Sequence, residues 1–272
     1  MKNLCQTFFV LALIFPVIAN AQKIEKLDAK GRYPVFAENE QIIVVSKSNY
    51  NSIEKFELAT KKQSIIVEGR GVAYKSYISG EDVYFKKENE MTSINLKTGR
   101  KQKQSQAGSP KAAAKMKSLS KKSERYAIDV VPTVMIDGFI VLFNDGTKKE
   151  FYPHGKSIYV NAELSPNGSK VLYSGPKGTE ILSLTDGTIL PLGVLEAAKW
   201  AGDNKIVYMI TEDDGHTLLK SDVGIYDLSK RTKKNLTENF DGLAQHPSAN
   251  SDASKVLFST NKNEIYLITI NK

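Results

Sequence analysis

The 272-residue sequence contains one cysteine, one tryptophan and three histidines. A single cysteine excludes an internal disulfide framework and any metal cluster built on thiolates. The charge-free stretch at residues 8–19 is shorter than the roughly 20 apolar residues that span a bilayer, and Pro16 interrupts it. No G-x-S-x-G is present, which excludes an attached serine-hydrolase domain. Gly155-Lys156-Ser157 resembles the end of a phosphate loop, but Glu150 stands where the first glycine belongs and no strand-to-helix context follows. His154, His216 and His246 are too far apart in the chain for a helix to pair any two as metal ligands. No cofactor is expected.

What is present begins with Met1-Lys2-Asn3, an apolar stretch, and Ala19-Asn20-Ala21 before Gln22. This is the pattern of a cleaved secretory signal peptide over residues 1–21. Cleavage would remove Cys5 and leave residues 22–272 as one domain. It implies a periplasmic or secreted protein, with no transmembrane segment after cleavage and no nucleic-acid partner.

The remaining apolar runs are short, rich in Val, Ile, Tyr and Phe, and bounded by turn residues, which is the strand signature. They also recur. Gln41-Ile42-Ile43-Val44, Asp82-Val83-Tyr84-Phe85, Arg125-Tyr126-Ala127-Ile128, Lys170-Val171-Leu172-Tyr173, Lys205-Ile206-Val207-Tyr208 and Lys255-Val256-Leu257-Phe258 begin at similar intervals. The best-formed entry is Leu164-Ser165-Pro166-Asn167-Gly168, where Pro presets the turn and Asn-Gly supplies positive φ. Each run leads to a second strand and turn, and most to a further short strand. Four strands per unit of about 40–45 residues is the mark of a propeller blade. The expectation is an all-β, six-bladed β-propeller of four-stranded antiparallel blades. Its last unit stops after three strands, and residues 25–28 are expected to supply the fourth and close the ring.

Leu164-Ser165-Pro166-Asn167-Gly168-Ser169-Lys170, Ile225-Tyr226-Asp227-Leu228 and Glu264-Ile265-Tyr266-Leu267 resemble the repeat of TolB-type propellers, and His246-Pro247-Ser248 resembles that family's entry to an inner strand. The resemblance implies a bacterial periplasmic interaction module; a monomeric propeller is expected, and with no nucleophile, metal-ligand or nucleotide motif found, no enzyme.

Irregular segments gather at the end of the ring that carries the loops between second and third strands and the inter-unit connections. A candidate interaction face follows: Tyr50 in segment 46–52, Lys111 and Lys115 in the 106–115 connection, His154, Asp213, Asp214 and His216 in segment 211–222, Phe240 and His246. The leading function is non-enzymatic binding of a protein or cell-envelope partner. The alternative is a metal-dependent, lactonase-like propeller enzyme, for which the inner strands offer only Glu163 and Glu196. Trp200 occupies the same slot as Leu164 and reads as core rather than as a sugar platform. The formal charge of +8 resides in residues 100–125, with nine basic side chains against Glu124, while the rest balances at 29 of each sign. That segment is a candidate dock for an acidic partner or an anionic envelope polymer.

Overall fold

A computed structural model describes residues 22–37, 40–47, 49–74, 76–87, 90–103, 133–136, 138–144 and 147–270. Every regular element among them is a β-strand. The chain opens with β1 (Lys23–Lys30) and then forms β2 (Arg32–Phe36), β3 (Ile42–Ser46), β4 (Ser52–Glu57) and β5 (Lys62–Glu68) as one antiparallel sheet. The second sheet holds β6 (Tyr77–Ser79), β7 (Asp82–Lys87), β8 (Glu90–Asn95) and β9 (Lys101–Lys103). The third holds β10 (Thr133–Ile136), β11 (Ile140–Asn144) and β12 (Thr147–Phe151). The fourth comprises β13 (Val160–Leu164), β14 (Lys170–Gly175), β15 (Gly178–Ser183) and β16 (Ile189–Gly193). The fifth comprises β17 (Glu196–Trp200), β18 (Lys205–Asp213), β19 (Leu218–Asp227) and β20 (Thr232–Asn235). In the last, β21 (Ala244–Ala249), β22 (Lys255–Thr260) and β23 (Glu264–Thr269) take β1 as the fourth strand.

The architecture is a β-propeller of small antiparallel sheets. The expectation of six four-stranded blades needs correction: among the described residues five sheets have four strands, and β10–β12 is a sheet of three. Arg125-Tyr126-Ala127-Ile128 and the inner strand expected at residues 115–119 lie outside the described residues.

Burial follows each strand's place in its blade. The recognised runs that fall among the described residues are second strands, packed on both faces by neighbouring blades, and so apolar without alternation: Ile42 to Ser46 is buried throughout, as are Val171 to Tyr173 and Val256 to Thr260. Outermost strands are more exposed, and β9 is exposed at all three residues. The excess expected as a loop at residues 211–222 is instead a paired extension of β18 and β19, continuous to Asp213 opposite Leu218. The Ser165-Pro166-Asn167-Gly168 turn forms as expected: Ser165 N–H donates to the Lys170 carbonyl at 2.8 Å, and Gly168 has φ 71°. The same backbone clasp recurs from Ala37 to Ile42, Ala201 to Lys205 and Asn250 to Lys255.

Ring closure by the N-terminal strand is present. Glu25 pairs with Leu267 and Lys26 with Tyr266, while Leu27 and Ala29 are buried beside Ile43 and Phe56 of the first sheet and Leu257 and Ile265 of the last.

Candidate binding face at the channel mouth

The clasps place four inner strands in a common frame. Before each lies an irregularity of register: Tyr33-Pro34, Asn161-Ala162, Ala197-Ala198 and His246-Pro247. Tyr33, Asn161, Ala197 and His246 all have φ between 46° and 54°, a left-handed conformation uncommon outside glycine. The ring therefore repeats one β-bulge, which bends the entering strand and re-aims its side chains. Two residues further on stand Val35, Glu163, Lys199 and Ser248. Val35, Tyr77, Glu163 and Lys199 come from the inner strands of four different sheets yet line a single cavity of about 480 Å³, so that cavity lies on the ring axis.

One wall is aromatic. Tyr33 packs between His246 (ring centroids 4.1 Å) and Tyr50 (5.7 Å), and the two tyrosine hydroxyls are hydrogen-bonded at 2.7 Å. Tyr74 meets Tyr50 edge-on at 5.8 Å. The backbone holds the loop and connection carrying these rings together: Gly69 N–H donates to the Asn51 carbonyl at 2.9 Å, and Ala73 N–H to the Tyr50 carbonyl at 3.1 Å. Burial and the Tyr50 hydroxyl push Tyr33 up to about 12, so it stays a neutral phenol.

On the opposite side, Glu163 is open to cavity water but enclosed by the ring. That enclosure raises its carboxyl above the ordinary range, against the pull of Lys199 and of the Trp200 N–H 3.4 Å away. Arg32 is engaged elsewhere, donating to Asn263 Oδ1 at 3.0 Å.

Burial, reinforced by Arg32 and Lys199, holds His246 down at about 4, against 6.5 for a free imidazole. Between those values the unfolded chain takes the proton first, so stability falls as pH drops from 6.5 to about 4. Solvent screening at this partly open ring limits the loss to on the order of 1–2 kcal/mol. Glu163 acts in the opposite sense: its raised carboxyl binds a proton before the unfolded one does, adding stability as pH falls. His246→Asn copies the residue at position 161, where Asn accepts positive φ. Thermal melts of this variant are expected to lose much less between pH 6.5 and pH 4 than the wild type loses. A wild-type slope retained by the variant would assign the acid loss to other groups.

Of the residues singled out from sequence, Tyr50 and His246 come together, with Tyr33 between them. The other described ones do not join them. His154 is packed into the fourth sheet, its Nε2 2.6 Å from Glu180, whose Oε2 also accepts from the Tyr173 hydroxyl at 2.8 Å. Asp213, Asp214 and His216 form an exposed hairpin tip, where the aspartates cap their own turn by accepting from Gly215, His216 and Thr217 N–H groups. Phe240 is half-buried and packs against the core of the last blade, edge-on to Phe258 (5.1 Å) and Tyr266 (4.9 Å). Lys111 and Lys115 lie outside the described residues. Glu196 is exposed at the start of β17. Among the described residues no three His, Cys, Asp or Glu side chains form a metal-binding group. Sequence reasoning missed Tyr33, Tyr74, Tyr77 and Lys199 as site residues. Aligning Tyr33-Pro34 with His246-Pro247 would have found the first.

Neither a family model nor a curated protein matches the sequence. Similar solved structures include TolB from Acinetobacter baumannii, at 12% identity, covering 91% of this chain and 54% of that one with TM-score 0.36. This chain thus spans about half the length of that TolB structure. An oligogalacturonate lyase in complex with manganese matches at 11% identity, covering 88% and 77% of the two chains, with TM-score 0.41. The Myceliophteria thermophila Cps50 (Swd1) β-propeller domain matches at 8% identity over 92% of this chain and 100% of its own, with TM-score 0.52. At that identity the last likeness establishes the fold alone: this chain is a β-propeller.

Proposed function

We propose that the protein is a non-enzymatic binding module of the periplasm or extracellular space, holding a protein or cell-envelope partner on the face around the channel mouth. The proposal includes cleavage after Ala21 and a six-bladed, TolB-type ring in which β10–β12 belong to the third blade. The observation that carries it is the distribution of exposed apolar side chains. Tyr74 is 70% exposed, Ile158 82% and Val194 81%, with Tyr77 and Val160 also open. All five sit in inter-blade connections or at the start of inner strands, on the face that carries the cavity. Of the nine large apolar side chains exposed among the described residues, these five share one face, while Ile65 and Leu190 lie on outermost strands; a shared exposed apolar group marks a surface that a partner covers.

Envelope crosslinking through a photoreactive residue at position 160, where Val160 is exposed, is expected to capture a partner that the same probe at Ile65 does not. Ile65 is exposed too, but lies on the outermost strand β5. The double variant Ile158→Asp/Val194→Asp should cut capture at least about tenfold with an unchanged melting curve, since neither side chain is in the core. Full capture by that variant would remove the face from consideration. The exposed lysines of β9 (Lys101 and Lys103) favour a second reading, attraction of an anionic envelope polymer to the basic 100–125 segment.

A further inference from the structure

We infer that the cavity at the channel mouth binds a neutral saccharide, an inference that rests on this face being the binding face. Its aromatic walls are set before any ligand arrives. Tyr77 stacks on Tyr84 with centroids 4.8 Å apart and planes within 3°, so one ring face is fixed while the ring still borders the cavity and stays open to solvent. Tyr50 is held by the Tyr33 stack, the hydroxyl pair and its own carbonyl. Rigid tyrosines give flat amphipathic contact at little conformational cost. Their faces suit the C–H faces of a sugar ring, and their hydroxyls suit its rim.

The polar groups select among ligand classes. Glu163 and Lys199 border the same cavity, and neither is in a salt bridge among the described residues. A sugar hydroxyl both donates and accepts. Neighbouring hydroxyls can therefore accept from the Lys199 ammonium and hydrogen-bond to the Glu163 carboxyl in either protonation state. A phosphate or polyanion would meet one ammonium offset by one carboxyl, and Lys199 opposes an organic cation that the aromatic rings would otherwise attract. An acyl chain would bury both charged groups without partners. The volume of about 480 Å³ lies within the usual range of small-ligand sites.

Isothermal titration of the purified chain with cellotriose, maltotriose and chitotriose tests this directly. At least one is expected to bind with Kd below about 1 mM. Tyr74→Ala, at a side chain too exposed to matter for folding, and Lys199→Met should each weaken binding at least about tenfold while the melting curve holds. Absence of binding by all three at about 10 mM overturns the inference. Binding that both variants leave intact overturns it equally, as does preference for the zwitterionic dipeptide glycylglycine, which could also span Glu163 and Lys199. If the sugars fail while Ile158→Asp/Val194→Asp still abolishes partner capture, the ligand class falls and the face stands. Failure of both experiments removes the face.

Discussion

Deleting residues 22–30 is expected to lower the melting temperature by roughly 10–20 °C and to make the protein prone to associate. The segment is short, but it closes the ring. Its pairing with β23 gives the last blade a fourth strand, and Leu27 and Ala29 lie in a cluster shared by the first and last sheets. Burying a leucine side chain contributes about 1.5–3 kcal/mol. The lost ladder and the exposed β23 edge add to that, and each kcal/mol is worth about 2–4 °C in a domain of this size. Leu27→Asp should reproduce most of the effect, because it places a carboxylate in that cluster. Lys26→Gln should not, since the Lys26–Glu264 pair (2.6 Å) lies at the surface, where water and salt screen it. Calorimetry and size-exclusion chromatography read both consequences. A deletion variant melting within about 3 °C of wild type would show that closure contributes little.

The propeller was legible because blade position writes itself into residue type. Second strands are covered on both faces, so runs such as Lys170-Val171-Leu172-Tyr173 stand out as unbroken apolar blocks, and the Asn167-Gly168 turn announces where they begin. The N-terminal strand was legible because Glu25-Lys26-Leu27-Asp28 matches the pattern of Lys234-Asn235-Leu236-Thr237 at the end of the fifth unit. The third unit was harder: its expected run at residues 125–128 lies outside the described residues, and the sheet seen there is β10–β12. The site was only half legible. Loop irregularity located Tyr50, whereas Phe240, in an equally irregular connection, is half-buried against Phe258 and Tyr266. Lys199 reads as an unremarkable polar residue, and Glu163 only as an inner-strand carboxylate without ligand partners. Their importance comes from the bulge two residues earlier, and a left-handed Ala197 carries no compositional signal as a glycine would. Aspartates 213 and 214 drew attention by density alone, yet their oxygens serve their own turn.

Trp200→Ala is expected to cost about 3–5 kcal/mol, the usual range for removing a buried tryptophan, and so roughly 6–20 °C in melting temperature. Trp200 fills the interface between the fourth and fifth blades, in one cluster with Leu172 and Ile181 on one side and Ile206 and Tyr208 on the other. Its Nε1–H donates to the Glu163 carbonyl at 3.1 Å, which ties an inner strand to its neighbour at the edge of the cavity. Trp200→Leu, copying Leu164 in the equivalent slot, keeps much of the packing and loses that hydrogen bond. It should cost about 1–3 kcal/mol by urea denaturation followed by far-UV circular dichroism. The pair of variants also separates two roles for the only tryptophan. A surface platform would lose ligand and keep its melting temperature on truncation to alanine. A buried interface residue loses stability first, and affects the cavity through the displaced Glu163 strand. The position of Trp200 in the core requires the second pattern: a lower denaturation midpoint for both variants, with alanine the lower of the two.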